Sequence, residues 1–408
     1  MQKFAIVAFA GLTALAVQAA GATEPVRLAF VDPLSGPLAS SGQLGLNHYR
    51  FAADEINAKG GVLGGRKLEI VPFDSKASPQ EAILILKRLA DEGFHFVSQG
   101  NSSAVAAAIV DAVDKNNARD PAKTMVYLNY SAVDPALTND KCSYWHFRFD
   151  SEVDMKTAAM TEFMARNAAL KKVYLINQDY SFGRAVGEAS RKMLGQKRAD
   201  IEIVGDEYHP LVKIKDFAPY IAKIKASGAQ AVMTGNFGAD LTLLVKAAKD
   251  AGLEVDWYTY YSSLLGAVTA IGDAGVDRVY ELTEWHENID NPELSAFADA
   301  YKAQLKDDWR YMRVRTMLNM FAQALDKAGS DDPRKVAAAL DNATYKSPLG
   351  DVVMQAENHQ LLQPQYVTVL ARGGKHDLEG TGIGRKTVAA FTAGQTELPT
   401  TCKMKRPD

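Results

Sequence analysis

Five short stretches carry the side chains able to hold a small solute. Gln99-Gly100-Asn101-Ser102-Ser103 and Asn129-Tyr130-Ser131-Ala132 gather amides and hydroxyls. The first leads directly into an alanine-rich helical pattern. Its hydroxyls and the free amides of a helix start therefore converge, an arrangement suited to a carboxylate. Ser102 or Ser103 also fits the N-cap of that helix, and the two roles are compatible. Later in the chain, Asn177-Gln178-Asp179-Tyr180-Ser181-Phe182, Gly235-Asn236-Phe237-Gly238 and Tyr260-Tyr261-Ser262-Ser263 repeat aromatic rings with few formal charges. A single ring is ordinarily core, but three such loops on one edge can form an apolar wall around a ligand. The candidate binding residues are Asn101, Ser102, Ser103, Tyr130, Ser131, Tyr180, Phe182, Asn236, Phe237, Tyr260 and Tyr261.

Motifs that would carry catalysis fail on inspection. Gly60-Gly61-Val62-Leu63-Gly64-Gly65-Arg66-Lys67 has the outline of a phosphate loop, with Arg66 where lysine belongs and Lys67 where serine or threonine belongs. It also follows a helical pattern and precedes a strand, the reverse of what a helix-borne phosphate site needs. A helix end and tight turn account for it. Gly380-Thr381-Gly382-Ile383-Gly384 lacks the strand–turn–helix setting of a dinucleotide loop. The seven histidines do not pair at metal-ligand spacing, and no G-x-S-x-G elbow occurs. The sequence calls for no metal and no cofactor.

The loops need elements to position them. Val26–Val31 reads as a strand, 42–59 as a helix, 67–73 as a strand, 80–90 as a helix, 94–97 as a strand, 104–113 as a helix and 125–129 as a strand. After the extended run Tyr144–Phe149 and a helix near Val153, the alternation restarts, with strands at 173–176, 201–204, 231–234 and 257–260 and helices at 183–194, 217–226 and 240–251. Helices over 292–305, over 316–328 and from Pro333 follow. Such alternation predicts an α/β protein with two doubly wound parallel-sheet lobes. The binding stretches sit just after strands, where such folds hold ligands.

Composition fits this reading. Of 408 residues, 47% are hydrophobic and 23% charged, enough for two cores, and the net charge of -3 without a basic tract excludes a nucleic-acid partner. Lys3, the apolar run Phe4–Val17 and the small residues Ala20-Gly21-Ala22 have the parts of a secretory signal over 1–22. That run is shorter than the ~20 residues of a membrane span, so a periplasmic protein is expected. Export favours oxidation, and with two cysteines the expected disulfide is Cys142–Cys402.

Pro33-Leu34-Ser35-Gly36-Pro37, the block Ala53–Arg66, Asp134-Pro135-Ala136-Leu137-Thr138, Asp179–Gly183 and Asp216-Phe217 give the chain a further likeness. It resembles the type I periplasmic solute-binding proteins of the branched-chain amino acid (Leu/Ile/Val) ABC transporter class. The resemblance implies two lobes joined by three hinge crossovers, a small ligand caught between them, and delivery to a membrane permease by a monomer. It assigns 23–147 with 285–349 to one lobe and 148–284 with 350–408 to the other, with crossovers near Phe147-Arg148, Leu282-Thr283 and Leu349-Gly350. It also implies that Asn101, Ser102, Ser103 and Ser131 hold the ligand carboxylate. Two departures stand out. Val133 occupies a place where amino-acid binders often carry threonine, and Tyr260-Tyr261-Ser262-Ser263 supplies no acid where those binders pair the ligand ammonium. An unpaired buried ammonium costs several kcal/mol, so the expected ligand is an organic or aromatic acid unless another acid such as Glu284 reaches the pocket. The alternatives are an amino-acid or amide binder of the same class, and a doubly wound enzyme with an assembled active site.

Overall fold

A computed structural model describes residues 24–407, so the signal-like segment 1–22 lies outside the described residues. The first half builds β1 (Val26–Asp32), α1 (Ala39–Ala58), β2 (Leu68–Asp74), α2 (Pro79–Asp91), β3 (Phe96–Gln99), α3 (Ser103–Arg119), β4 (Val126–Asn129) and β5 (His146–Arg148). The five strands form a parallel sheet in the order β2-β1-β3-β4-β5. β3 and β4 are buried along their whole length, as expected of parallel strands covered by helices on both faces.

The second half contributes α4 (Val153–Ala165), β6 (Lys172–Gln178), α5 (Ser181–Lys197), β7 (Glu202–His209), α6 (Ala218–Ser227), β8 (Ala231–Met233), α7 (Gly238–Asp250), β9 (Asp256–Thr259), α8 (Ala267–Ile271) and β10 (Val279–Thr283). Next come α9 (Pro292–Leu305), α10 (Met312–Ala328), α11 (Pro333–Leu340), β11 (Thr344–Ser347), β12 (Gly350–Met354), β13 (Leu361–Leu362), β14 (Gln365–Arg372) and β15 (Ile383–Phe391). The second sheet has seven strands in the order β15-β14-β10-β9-β8-β6-β7, with β14 and β15 antiparallel at its edge. β11, β12 and β13 make a small antiparallel sheet of their own.

The strand–helix alternation holds for every element read from the sequence. Six strands, β10 to β15, escaped it, and two of them carry buried charge. β10 has Glu281 at its centre, where the hydroxyls of Ser262 and Ser263 donate to the carboxylate at 2.9 and 2.8 Å. β15 carries Arg385, which pairs with Glu287 and Glu281. A charge satisfied only by distant residues breaks the apolar run that marks a strand locally. The Gly60–Gly65 stretch is the predicted turn after α1. Gly61 has φ of +73°, and a Cβ there would stand 2.2 Å from the Arg66 carbonyl oxygen. Gly380–Gly384 is the turn that opens β15.

The chain passes between the large sheets three times. The first passage follows β5 and the second follows β10. The third differs from the expectation: Leu349–Gly350 is the turn of the β11–β12 hairpin, where Ser347 pairs with Gly350. The chain regains the seven-stranded sheet at Gln365, opening β14. The last passage lies against the first. Gln363 Nε2 donates to the Phe149 carbonyl at 2.8 Å, and Gln365 Nε2 to Ser151 Oγ at 3.0 Å. The C-terminal tail returns to the first half of the chain. The Cys142–Cys402 disulfide ties it to the loop before β5, with Cα atoms 5.7 Å apart, and Thr400 Oγ1 donates to the Thr138 carbonyl.

Candidate functional site

In each large sheet the winding direction reverses once, at β1 between β2 and β3 and at β6 between β7 and β8. Connections leave on opposite faces at such a point and open a crevice at the strands' carboxyl ends. Asn101, Ser102 and Ser103 follow β3, and Ser131 follows the neighbouring β4. Tyr180 and Phe182 follow β6, Phe237 follows β8 and Tyr261 follows β9. These eight residues line one cleft, with Gly100, Ala132, Val133, Leu264 and Tyr311 completing it.

The polar wall is built around α3. Ser102 is its N-cap, with Oγ accepting from the Val105 amide at 3.4 Å and backbone φ of +94°. That conformation is costly for a residue other than glycine, and strain of this kind is found where function demands a fixed geometry. Ser103 Oγ accepts from the Asp134 amide at 3.3 Å, which fastens the neighbouring loop. Ser131 Oγ accepts from Arg313 Nη2 at 3.1 Å. Each hydroxyl thus spends a lone pair on a protein donor, and each proton is free to turn toward the cleft.

Asp32, at the end of β1, holds this wall from below. Its fully buried carboxylate accepts from the Gly100 and Asn101 amides at 3.3 and 3.0 Å, from Asn101 Nδ2 at 3.1 Å and from the Tyr130 hydroxyl at 2.5 Å. Burial pushes its pKa up to about 6 although the hydrogen bonds oppose the rise. Gly100 is required here, because a Cβ would sit 2.5 Å from the Tyr130 ring.

The apolar wall is a set of edge-on and tilted rings. Phe182 has ring centroids at 6.0 Å from Tyr180, 6.4 Å from Phe237 and 6.0 Å from Tyr261. Their loops are fixed underneath: Asn177 Oδ1 accepts from the Gly235 amide at 2.7 Å, and Asp240 Oδ2 from Gln178 Nε2 at 2.9 Å.

Three predicted residues lie elsewhere. Tyr130 is buried beneath Gly100, where its hydroxyl also accepts from Asn101 Nδ2 at 2.9 Å. Asn236 turns inward and donates to His209 Nε2 at 2.8 Å. Tyr260 is hydrogen-bonded to Thr157 of α4 at 2.9 Å. Successive residues of an extended chain face opposite sides, so with Tyr261 in the cleft its neighbour Tyr260 turns away. Glu284 does not reach the cleft either. It is 2% exposed and receives both hydrogen bonds of Arg313 Nη1 at 2.9 Å. Burial would raise its pKa, but Arg313 and Lys156 hold it below the usual value. Among the described residues none lining the cleft is charged, although a small adjoining cavity that shares Tyr261, Leu264 and Tyr311 with it is lined by Glu281, Glu284 and Arg313.

Sequence reasoning missed Asp32, Leu264, Tyr311 and Arg313 as parts of the site. The alternation of aromatic and basic residues in Trp309-Arg310-Tyr311-Met312-Arg313 was the available signal. Only the packing of α10 against α1 brings it to the cleft.

A family model for periplasmic binding proteins matches residues 25–375. The chain belongs to that family, in its type I branched-chain amino acid transporter class, and is a binding protein rather than an enzyme. It is 34% identical over 418 residues to Leu/Ile/Val-binding protein homolog 4 of Brucella abortus, covering 98% of each chain. A solved leucine-, isoleucine-, valine-, threonine- and alanine-binding protein from Brucella ovis, in a closed conformation, is 32% identical. Its TM-score is 0.85, and the match covers 94% of this chain and 100% of that one. An R. palustris solute-binding protein in complex with benzoate shares the fold at 20% identity, with TM-score 0.77 and 93% and 99% covered. The chain is thus a solute-binding component that delivers a small molecule to an ABC transporter.

Proposed function

We propose that this protein works in the periplasm as a monomer and captures a small carboxylate-bearing solute with an apolar or aromatic body. The lobes close over the solute by a hinge at the three passages, and the membrane permease receives it. One observation carries the carboxylate assignment: Ser102, Ser103 and Ser131 each accept a hydrogen bond from a protein donor, leaving three O–H donors beside the first amides of α3. A carboxylate offers acceptors alone and matches such a set. The four rings and Val133 enclose the remainder of the ligand.

The absence of a carboxylate among the lining residues favours an organic acid over an α-amino acid, since a buried ammonium would lack a partner. The second reading, a branched-chain or small amino acid, draws on the Brucella relatives, which are named as Leu/Ile/Val-binding and leucine-, isoleucine-, valine-, threonine- and alanine-binding proteins. Thermal-shift screening separates the two, because a ligand at 100 times its dissociation constant adds about 2.7 kcal/mol of stability. Leucine and valine are compared with their 2-keto acids and with benzoate. Stabilisation by the acids supports the first reading, and stabilisation by the amino acids alone overturns it.

A further inference from the structure

Arg313, the second residue of α10, is 2% exposed and joins four parts of the chain through one guanidinium. Nε donates to the Tyr130 carbonyl at 2.8 Å, and Nη2 to Ser131 Oγ at 3.1 Å. Nη1 donates to both Glu284 oxygens at 2.9 Å, and Asp150 lies 3.4 Å from Nε. The guanidinium carbon stands 4.1 Å from the centroid of the Tyr311 ring, itself part of the cleft. Lys156 pairs with Asp150 at 2.7 Å, so the buried group of two cations and two carboxylates is balanced. Burial alone would weaken the proton hold of Arg313, but Asp150 and Glu284 outweigh it and raise the pKa.

A serine hydroxyl has one proton and two lone pairs, and a guanidinium can only donate. Arg313 therefore obliges Ser131 to present a lone pair to it and to aim its proton elsewhere. We infer that Arg313 is a positioning residue that occupies one lone pair of Ser131, biases its proton toward the cleft and so makes the protein prefer a carboxylate over the corresponding neutral amide. The inference rests on the cleft being the ligand site, as proposed above. A primary amide presents an NH2 donor as well as an acceptor, and against a hydroxyl whose proton is turned to the cleft that NH2 is mispaired. Without Arg313 the hydroxyl rotates freely, and it can donate to the carboxylate or accept from the NH2 of the amide. The same guanidinium fastens the Tyr130-Ser131 loop to Glu284 after β10 and to Asp150 after β5, so the residue that reads the ligand is anchored at two of the three passages.

The test measures dissociation constants by calorimetry for two pairs, 4-methyl-2-oxopentanoate against its amide and leucine against leucinamide. Using both pairs keeps failure of the organic-acid reading separate from failure of this inference. Arg313→Met combined with Glu284→Gln removes both members of the ion pair and leaves Lys156 with Asp150. This variant is expected to lower the acid-over-amide preference at least tenfold, with acid affinity falling more than amide affinity. Ser131→Ala should lower the preference to the same degree, and adding the double substitution to it should change nothing further. Arg313→Lys keeps the charge without the fork and should not restore the preference. Equal losses for acid and amide would mark Arg313 as merely structural and overturn the inference, as would an unchanged preference or additive effects. Should the double variant fail to fold, an unchanged preference in Ser131→Ala alone overturns it. No binding of any of these carboxylates to the native protein overturns it together with the cleft assignment.

Discussion

Replacing Asp32 should damage both the fold and the cleft, by amounts that follow from its hydrogen bonds. The carboxylate is fully buried and accepts from two backbone amides, one side-chain amide and one hydroxyl. Asp32→Ala orphans all four donors at about 1–3 kcal/mol each when no acceptor replaces the lost one. Water entering the vacated space recovers part of this, so a loss of about 4 kcal/mol is expected in urea unfolding. Asp32→Asn keeps the shape and isolates the charge. In the fold the pKa is raised from 3.8 to about 6, a difference worth about 3 kcal/mol. The sign follows from proton linkage: between these values the folded protein holds a proton that the unfolded chain has released, so stability falls as pH rises. The contribution is complete below pH 3.8 and lost as pH passes about 6. Native stability minus that of Asp32→Asn should therefore fall by about 2 kcal/mol between pH 4 and pH 7. Ligand affinity of Asp32→Ala should drop as well, because Asn101 and the start of α3 lose their anchor. An alanine variant within 1 kcal/mol of native, or a difference that grows with pH, would refute the reasoning.

Removing the Cys142–Cys402 bond by double replacement with serine opens a loop closed across 260 residues, and loop-entropy arithmetic sets the loss at no more than about 6 kcal/mol in urea unfolding. Ligand affinity should be unchanged, since neither cysteine lines the cleft. Small-angle scattering should show a smaller radius of gyration at ligand saturation, and an unchanged radius with bound ligand would contradict hinge closure. Leu264 separates the cleft from an adjoining groove of about 750 Å³ lined by Leu44, Leu243 and Leu265. Leu264→Ala should cost about 2–5 kcal/mol of stability and favour longer apolar acids over short ones in a thermal-shift series.

The sequence by itself determined the alternation of strands and helices, and with it the doubly wound lobes. Periodicity of apolar residues is a local property, and each run from β1 to β9 is apolar enough to be read alone. It also determined the pairing of the cysteines, because two allow one bond, and it placed Ser102, Ser103, Ser131 and Phe182 at strand ends. Tertiary structure decided the rest. Whether Tyr260 or Tyr261 enters the cleft turns on one step of an extended chain. Asp32 reads as the polar end of a strand until Gly100, Asn101 and Tyr130 fold onto it. β10 and β15 carry Glu281 and Arg385, whose burial is tolerable because Ser262, Ser263 and Glu287 fold onto them and the two side chains meet across β14. Arg313 reaches Ser131 across 182 residues of sequence and Glu284 across 29. Charges buried in partnership leave no periodic trace, because the partner that makes each burial affordable is near in space and distant in the chain.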